Sequence, residues 1–420
     1  MTEARCNTAV CARLNLEPVV FAFSLDFKLY YLFLLLHCAK KKKKSPASPS
    51  LHQLSDNVPV PVPCKGEVLV RVRAASINPG DWKLQSGLIP FLPRRFPATA
   101  GFDLAGNVVA VGPGVTKYSV GDAVYGRAPF FKMGALAQYA LLDQQGSARQ
   151  PSSLTFETAA ALPIAGLTAL QAVRDYAGLP LPASKPSGEG SGAASSGKAE
   201  SSSNSPSSNG CSSGSRARVL VANASGGVGH VAVQLAKAAG AHVTATVGAR
   251  NLAFARNVLG ADEVLDYNSA AGKQLFPSSS PTSSPSPVTN LSKPHAAQVA
   301  SSADPPGSGL YDVVIDCSPN SLAVAAVDRV LRPEGKWVHV IPPFSVFALG
   351  LWRRFACRPK KIYNVMMENR GSDLEVVGRM VEEGKVKVVI EGTVPFEEAR
   401  EAWRRSMEGH VTGKLVVRME

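Results

Sequence analysis

Short stretches in which apolar and polar residues alternate occupy the chain between Gly66 and Gly146. The first reads EVLVRVRAASIN; the next, GNVVAVGPGV, ends in a Gly-Pro-Gly turn, and AVYG follows a turn at Gly121 and Asp122. Alternation with a period of two, interrupted by glycine turns, is typical of antiparallel strands with one buried face. This part of the chain is therefore predicted to form a barrel-like domain of antiparallel strands.

From Thr158 the apolar pattern becomes helical, in ETAAALPIAGLTALQAVRDY, with a break expected at Pro163. The run RVLVANASGGVGHVAVQLAKAAGAHVTATVGAR then contains, in order, a strand, a glycine turn, a helix and a second strand. That order is a βαβ unit of a parallel sheet. The runs YDVVIDCS and KWVHVIPP predict further strands of this sheet. The C-terminal run predicts a strand, a helix from near Phe396 and a last strand that returns to the first domain.

Residues 1–57 do not have the pattern of a packed core. Their apolar run, Val19–Ala39, is long enough to cross a bilayer, but it contains Asp26 and Lys28. Each charge near the centre of a spanning helix costs about 2.5–3.5 kcal/mol on insertion scales. A disordered or targeting segment is therefore expected here, and a membrane anchor is kept as the alternative.

Two further segments have the composition of disordered inserts. Residues 181–215 contain 14 Ser, 6 Gly and 3 Pro, and residues 270–308 contain the run PSSSPTSSPSP. Such segments cannot bury enough apolar surface to offset the entropy of ordering. The sequence that remains is long enough for two modest domains.

The net charge of the chain is +13, and residues 1–44, where eight Lys/Arg face three acidic residues, carry +5 of it. The +8 spread over the rest of the chain is too diffuse to indicate nucleic acid as a partner. Seven cysteines with no CxxC spacing do not indicate a disulfide framework or a zinc knuckle. A reducing compartment is therefore expected.

The clearest motif, SGGVGH, lies where the first strand of the βαβ unit becomes its helix. Glycine at such a turn lets the backbone approach a pyrophosphate, and the free N–H groups at the start of the helix attract its charge. Asn223 stands at the first small-residue position of the dinucleotide-binding fingerprint and departs from it. A tight turn without a ligand is the alternative, although the strand-turn-helix-strand context favours the dinucleotide. The residues predicted to contact the pyrophosphate are Ser225, Gly226, Gly227, Val228 and Gly229.

The second strand of the unit ends without the Asp or Glu that would accept hydrogen bonds from the ribose of NAD. No acidic residue occurs from Val243 to Asn257, whereas Arg250 and Arg256 do. A guanidinium at this point suits a 2′-phosphate through charge-assisted hydrogen bonds. NADPH is therefore the predicted cofactor, with Arg250 as its 2′-phosphate ligand. An arginine that is only a solvated surface charge is the alternative.

A catalytic zinc ion would need three or four Cys, His or carboxylate ligands in the first domain. There is no cysteine between Cys64 and Cys211 and no histidine between His52 and His230. No metal site is therefore predicted, and zinc-dependent alcohol oxidation is disfavoured.

Several motifs together resemble the zinc-free quinone oxidoreductase branch of the medium-chain dehydrogenase/reductase superfamily. They read SINPGDWKLQSG, FPATAGFDLAGNVVAVGPGVTKYSVGDAVYG, ALPIAGLTALQA, ASGGVGHVAVQLAKAAGAHVTATVGARN and LGADEVLDY. The likeness is strongest to the plant and algal group that contains the chloroplast envelope quinone oxidoreductase homologue and the NADPH-dependent alkenal/one oxidoreductases. It covers Val58–Val417 apart from the two inserts.

The resemblance implies an α/β fold with two domains. One is a GroES-like antiparallel β-barrel that binds the substrate, and the other is a Rossmann-type doubly wound parallel sheet that binds the cofactor. The division expected is an atypical N-terminal segment at 1–57, the GroES-like domain at 58–160, the Rossmann domain with its two inserts at 161–362, and a return to the substrate domain at 363–420. Family members open with a β-hairpin strand that residues 1–57 do not supply.

The resemblance also implies roles for single residues. Asn78 and Lys83 of NPGDWK would lie at the mouth of the nicotinamide and substrate pocket as catalytic residues, and Lys83 would also contact the cofactor. Lys83 is the first candidate for the donor to the substrate carbonyl oxygen, and Asn78 is the second. Thr168 would contact the nicotinamide end, Tyr267 the adenosine and Lys414 the phosphates. Asn78 as a turn cap and Tyr267 as a packing residue are the alternatives.

The activity implied is hydride transfer from NADPH to a quinone or to the carbon-carbon double bond of an α,β-unsaturated carbonyl compound, without zinc. The resemblance further implies a homodimer in the chloroplast, with envelope association and a cytoplasmic location as alternatives. The expected partner is the small-molecule substrate, with no nucleic acid and no integral membrane segment. Two other functions stay open: a non-catalytic NADPH-binding sensor, and a membrane-associated scaffold anchored by Val19–Ala39.

Overall fold

The computed structural model of the chain describes residues 53–55, 57–85, 98–130, 132–182, 216–275, 310–318, 322, 324–340 and 361–419. The apolar run Val19–Ala39 and most of the two predicted inserts lie outside these residues. Of the helices that are described, none has the length and apolar character needed to cross a bilayer.

The described part of the chain folds into strands and helices that occur in both halves of the chain. The strands are β1 (Glu67–Ile77), β2 (Asp103–Val111), β3 (Ala123–Arg127), β4 (Tyr139–Asp143), β5 (Ser147–Arg149), β6 (Arg218–Ala222), β7 (His242–Val247), β8 (Glu263–Asp266), β9 (Tyr311–Asp316), β10 (Leu331–His339), β11 (Lys361–Asn364), β12 (Ile390–Pro395) and β13 (Lys414–Arg418). The helices are α1 (Pro79–Gln85), α2 (Phe156–Ala160), α3 (Pro163–Gln171), α4 (Gly229–Ala238), α5 (Leu252–Asn257), α6 (Ala270–Leu275), α7 (Val324–Val330), α8 (Gly371–Glu382) and α9 (Ala399–Glu408). A π-helical turn covers Ala172–Tyr176, and 3-10 turns cover Ala249–Asn251 and Phe396–Glu398.

Seven of these strands form a mixed sheet in the order β12-β13-β1-β2-β3-β5, with β4 also paired to β1. All its pairs are antiparallel except β12 with β13, which run parallel. The β-domain predicted from the alternating pattern is confirmed apart from this pair. Along β1 only Arg71 is exposed. Both faces of β1 are buried because it is a central strand with α2 against it.

Six parallel strands form the second sheet, in the order β8-β7-β6-β9-β10-β11. This is the strand order of a doubly wound dinucleotide-binding sheet, so the predicted fold is confirmed. The order reverses between β6 and β9, and ligands of such sheets bind beside the carboxyl ends of the strands at that point. Because β11 ends at Asn364, the parallel sheet runs two residues beyond the predicted domain boundary at 362.

The helical stretch that links the sheets is divided where proline predicted a break. α2 ends at Ala160 and α3 starts at Pro163, where a missing N–H is tolerated because first-turn donors have no partner within the helix. α2 begins two residues before the predicted change of pattern, since Thr155 Oγ1 accepts a hydrogen bond from the Thr158 N–H (3.2 Å) and caps the helix.

One apolar core includes residues of both sheets, among them Tyr125 of β3 and Val219 of β6. The Tyr125 hydroxyl donates to the Leu374 carbonyl of α8 (2.6 Å). Both sheets accordingly belong to one unit, Ser48–Lys83 with Arg95–Glu420. The end of β1 and the end of β6 can therefore contribute to one site.

A short helix occurs where the second insert was predicted to begin. Residues 270–275 form α6, and Ser269 caps it by accepting the Gly272 N–H at Oγ (3.0 Å). Alanine, lysine, glutamine and leucine are good helix formers, and the composition of the longer segment concealed this local preference. The rest of that insert lies outside the described residues.

Candidate functional site

The turn between β6 and α4 begins with a residue in a left-handed backbone conformation. Asn223 has a φ of +55°, a region that asparagine adopts more readily than most residues with a side chain. Its backbone N–H donates to Thr246 Oγ1 (3.3 Å), and its Nδ2 donates to the Cys317 carbonyl (3.1 Å). The residue that departs from the fingerprint therefore ties the turn to β7 and to the end of β9.

Glycines allow this turn to close tightly. A Cβ atom at Gly229 would overlap with the Asn223 carbonyl oxygen, and one at Gly226 would lie 2.9 Å from Asn223 Nδ2. The backbone N–H groups of Gly227 and Val228 donate to no backbone carbonyl within the described part of the chain. No side chain caps α4, which has 10 residues. Free donors at the start of a helix attract anions, so the turn fits a pyrophosphate group.

His230 lies directly behind the turn and is fully buried. Its Nε2 accepts a hydrogen bond from the Val389 N–H (3.3 Å), which leaves Nδ1 as the donor to the Gly226 carbonyl (3.0 Å). Burial lowers the pKa of the imidazole to about 4, so it is neutral at pH 7 and braces the turn in this tautomer. This role was not predicted, because Val389 is distant in sequence.

Three consecutive residues at the start of β13 contact three separate parts of the site. The contacts are Thr412 Oγ1 to Asn251 Oδ1 (3.2 Å), the Gly413 N–H to the Ser225 carbonyl (2.8 Å), and Lys414 Nζ to Asn78 Oδ1 (2.5 Å). Asn251 belongs to the turn that also contains Arg250. Residues 412–414 therefore join the end of β7, the glycine turn and the NPGDWK motif.

Lys414 spans the distance between the glycine turn and Asn78. Its side chain is almost fully buried. A Cβ atom at Gly227 would lie 3.2 Å from Lys414 Cδ, so the aliphatic stem lies over the turn. The ammonium group at its end is 3.7 Å from Asp103 Oδ2 and donates to Asn78. The structure therefore brings together the glycine turn, Lys414 and Asn78, which are three of the features that were predicted to form the site.

Asn78 is the centre of a buried polar cluster, and it is only 4% exposed. Its Nδ2 donates to Asp103 Oδ2 (2.8 Å), and its backbone N–H donates to Asp81 Oδ2 (2.7 Å). The Asn78 side-chain amide is thus held at both of its polar atoms, because its Oδ1 also accepts a hydrogen bond from Lys414 Nζ. For a contact with a substrate, Asn78 retains its second amide hydrogen and one lone pair of Oδ1.

Two carboxyl groups that were not predicted share this cluster with one lysine. Burial raises the pKa of Asp81 to about 7 and also raises the pKa of Asp103, and the Lys414 cation opposes both shifts. Burial lowers the pKa of Lys414, and the two carboxyl groups oppose that shift. A pKa of about 7 lets Asp81 hold a proton at and below neutral pH, which reduces the negative charge buried beside Asp103.

Lys83 and Thr168 lie on helices that start at this cluster. Lys83 is in the last turn of α1, about one and a half turns from Asn78, with Nζ 5.5 Å from the centroid of the Trp82 ring. Burial lowers the pKa of the Lys83 ammonium. Thr168 is buried in α3, about one turn from Ile164, whose N–H donates to Asp103 Oδ1 (3.2 Å).

Arg250 and Tyr267 lie together at the carboxyl ends of β7 and β8. Arg250 is exposed and forms no hydrogen bond or ion pair with another described residue. Tyr267 is 41% exposed, and a Cβ atom at Gly248 would lie 3.0 Å from its hydroxyl oxygen. The phenol ring therefore packs against the backbone that leads to Arg250. An exposed guanidinium without a described partner, at the same sheet edge as a partly exposed ring, suits a phosphorylated adenosine.

Three family descriptions match the chain. An alcohol dehydrogenase GroES-like domain matches residues 64–152. Two descriptions of a zinc-binding dehydrogenase match residues 227–341 and residues 292–417.

Individual relatives are similar over most of their length. The chloroplast envelope quinone oxidoreductase homologue of Arabidopsis thaliana is 36% identical over 361 residues, which are 86% of this chain and 92% of that protein. A mitochondrial NAD(P)H oxidoreductase of Homo sapiens is 26% identical, over 84% of this chain and 81% of that protein. The solved quinone oxidoreductase of Coxiella burnetii superposes with a TM-score of 0.65 at 26% identity, covering 89% of this chain and 96% of that one.

Two of the matching family descriptions name a zinc-binding dehydrogenase, and a zinc site in this chain would need several metal ligands close together. Among the side chains placed by the structure, no three His, Cys, Asp or Glu residues are grouped so that they could hold a metal ion. The residues described do not fit a catalytic zinc ion, which needs three protein ligands and an open position. Zinc independence stays a prediction that chelation can test.

Prolonged treatment with a chelator is expected to leave activity unchanged, because no bound metal would be removed. Elemental analysis of the purified protein should find far less than one zinc ion per chain. A zinc content near one, lost in parallel with activity, would contradict this prediction.

Proposed function

This chain belongs to the medium-chain dehydrogenase/reductase superfamily, and we propose that it works within it as an NADPH-dependent reductase. Its relatives support a nicotinamide-dependent oxidoreductase. The proposed substrates are quinones and α,β-unsaturated carbonyl compounds, in which the carbon-carbon double bond is reduced and the carbonyl group is kept. No zinc ion takes part.

The observation that carries this proposal is the set of contacts made by residues 412–414. One short segment holds the glycine turn at Ser225, the turn beside Arg250, and the amide of Asn78. The glycine turn, where the phosphates would bind, and Asn78 are therefore both anchored to residues 412–414. Such fixed geometry is what hydride transfer between two bound molecules requires.

The chain's own groups have separate roles in the proposed reaction. When bound, NADPH supplies a hydride for the β-carbon of an enone or for a quinone. The N–H groups of Gly227 and Val228 bind the pyrophosphate, and Arg250 binds the 2′-phosphate. Lys83 donates a hydrogen bond to the substrate carbonyl oxygen, where negative charge develops. One hydride and one proton saturate the double bond of an enone, and the same pair converts a quinone to a hydroquinone.

The lowered pKa of Lys83, which burial causes, suits it to supply that proton. Replacing it by Met keeps the length of the side chain and removes the charge and the donors. Turnover of Lys83→Met is expected to fall by about 100-fold or more, the typical loss for one donor to a developing oxyanion. The affinity for NADPH should change much less. Single-turnover kinetics and a direct titration of NADPH on the same variant measure the two effects.

Lys65→Met is the matched control, since it removes the same charge from an exposed residue in the turn before β1. Lys65 precedes β1 and Asn78 follows it, and an 11-residue strand separates the two ends by about 35 Å. The assay uses a small panel of enones, enals and quinones, and mass spectrometry identifies the products. An allylic alcohol as the product, or a wild-type protein that oxidises no NADPH with any of these substrates, would show that the proposal is wrong. A fall in NADPH affinity as large as the fall in turnover would instead make Lys83 a cofactor ligand.

The location and the assembly are proposed from similarity. The Arabidopsis thaliana relative is named for the chloroplast envelope and the human relative for the mitochondrion. We propose the chloroplast, because the more similar relative is the chloroplast protein, with the cytoplasm as the alternative. We also propose a homodimer, from the family likeness.

A further inference from the structure

The buried carboxyl group of Asp103 contacts both Asn78 and Lys414, although it has no role in the reaction proposed above. Asp103 stands at the start of β2 and is fully buried. It accepts hydrogen bonds from Asn78 Nδ2 (2.8 Å), Ser76 Oγ (3.3 Å) and the Ile164 N–H (3.2 Å). The ammonium nitrogen of Lys414 is 3.7 Å from its Oδ2.

The Lys414 side chain extends from the turn predicted to bind phosphate to a buried carboxyl group. Its stem lies over Gly227, in the turn where a pyrophosphate would bind, while the charged end is directed towards Asn78 and Asp103. A phosphate in the turn attracts the same cation. The carboxylate of Asp103 and the bound anion must therefore share or compete for one ammonium group.

We propose that Asp103 is a positioning residue, which holds the Asn78 amide and the Lys414 ammonium and thereby couples dinucleotide binding to the orientation of Asn78. This inference rests on the proposed function, since it takes the glycine turn as the phosphate site. Asp103 does not touch the substrate in this account. It sets how much of the Lys414 charge is available to the dinucleotide, and it keeps Asn78 fixed for turnover.

Two other charged groups face Asp103 and define what a substitution changes. Arg127 lies opposite Asp103 where β2 pairs with β3. The guanidinium of Arg127 lies 5.8 Å from the Phe102 ring centroid. Asp81 also belongs to the cluster, because its Oδ2 accepts a hydrogen bond from the Asn78 backbone N–H. Asp81 alone can balance the Lys414 cation when Asp103 is replaced by a neutral residue, since the charge of Asp103 is one of the causes that raise the pKa of Asp81. The variant therefore alters the position of the cation and leaves its charge in place.

Asp103→Asn is expected to change binding and turnover in opposite directions. The dissociation constant for NADPH should fall by at least about threefold, in the range of coupling between contacting groups, because Lys414 is released towards the turn. Turnover at saturating NADPH and substrate should fall by about tenfold or more, because a single amide oxygen replaces the two carboxylate oxygens that accept from Asn78 Nδ2 and the Ile164 N–H, and Asn78 is then held less firmly. Binding is followed by the fluorescence of NADPH without substrate, so this readout does not depend on activity. A parallel loss of both, or no change in either, overturns the proposal.

Asp373→Asn is the control for the loss of a buried, ion-paired carboxyl group. Asp373 is 4% exposed and accepts a hydrogen bond from Arg174 Nη1 (2.9 Å), among residues that do not belong to the site. This variant should lower the melting temperature and leave the NADPH affinity unchanged. If Asp103→Asn does not fold, Asp103→Ser removes the same charge, withdraws the acceptor from Asn78 because its hydroxyl is one bond closer to the backbone, and is measured in the same way.

The decisive comparison repeats Asp103→Asn in a Lys414→Met background. Asp103 acts on the dinucleotide through Lys414, so the substitution should then leave the NADPH affinity unchanged. An effect as large as in the wild-type background overturns the inference. A wild-type protein that binds NADPH but reduces no substrate contradicts the proposed reaction and leaves this binding test intact. A wild-type protein that does not bind NADPH overturns both.

Discussion

Gly229→Ala is expected to weaken NADPH binding by at least about 100-fold while the protein still folds. The new Cβ would overlap with the Asn223 carbonyl oxygen, and Asn223 cannot move aside because it is bonded to Thr246 and Cys317. The turn must open instead, which moves the N–H groups of Gly227 and Val228 out of line. Each hydrogen bond to a charged group contributes about 1.5–3 kcal/mol, so losing two gives at least the stated factor.

The cost in stability should be smaller than the cost in binding. Overpacking of this kind typically destabilises a protein by about 1–3 kcal/mol, which lowers the melting temperature by several degrees. Gly80→Ala is the matched control, because a Cβ atom there meets no atom within 4 Å. It should leave NADPH binding unchanged, and it should not lower the melting temperature, because alanine is a better helix former than glycine. NADPH titration and thermal unfolding of both variants provide the measurement, and wild-type affinity in Gly229→Ala would show that the turn is not the phosphate site.

The parts of the fold that the sequence could predict are those that depend on local pattern. The alternation before Gly146 and the strand-turn-helix-strand order around Ser225 each concern neighbours in the chain, and both sheets follow from them. Even the departure at Asn223 has a local reason, since its φ of +55° favours asparagine over most other residues. The parallel pairing of β12 with β13 was not predicted, because it joins segments on either side of α9.

The candidate site could be predicted only in part, because its contacts join residues far apart in the sequence. Lys414 and Asn78 are 336 positions apart, and Asn78 and Asp103 are 25 apart. The sequence motifs identified Asn78 and Lys414 as site residues, but they did not identify Asp103, whose carboxyl group lies beside both. An aspartate in GFDLAG has no periodic or spacing signal, and only its burial beside a lysine gives it a role. His230 was missed for the same reason, since its partner is the Val389 N–H.

Arg250→Ala is expected to remove the preference of the protein for NADPH over NADH. Arg250 is exposed, has no partner among the described residues, and stands where the strand β7 ends. Asp266, which ends the neighbouring strand β8, accepts a hydrogen bond from the Asn268 N–H (2.9 Å) within its own turn instead of pairing with Arg250. Charge-assisted hydrogen bonds from a guanidinium to a 2′-phosphate contribute about 1.5–3 kcal/mol, which corresponds to a factor of about 10–150 in affinity. The dissociation constant for NADPH should rise by that factor, and the constant for NADH should barely change.

Arg256→Ala separates a specific contact from the general effect of one lost charge. Arg256 is also exposed and lies in the last turn of α5, so its replacement changes the net charge by the same amount at a position six residues further along the chain. The affinity ratio for the two cofactors should stay at its wild-type value in this variant. Both variants are titrated with NADPH and NADH at one ionic strength, because salt screens the interaction of exposed charges. Equal affinity of the wild-type protein for the two cofactors would exclude NADPH specificity. An equal loss in both variants would mean that Arg250 acts only through the overall field of the protein.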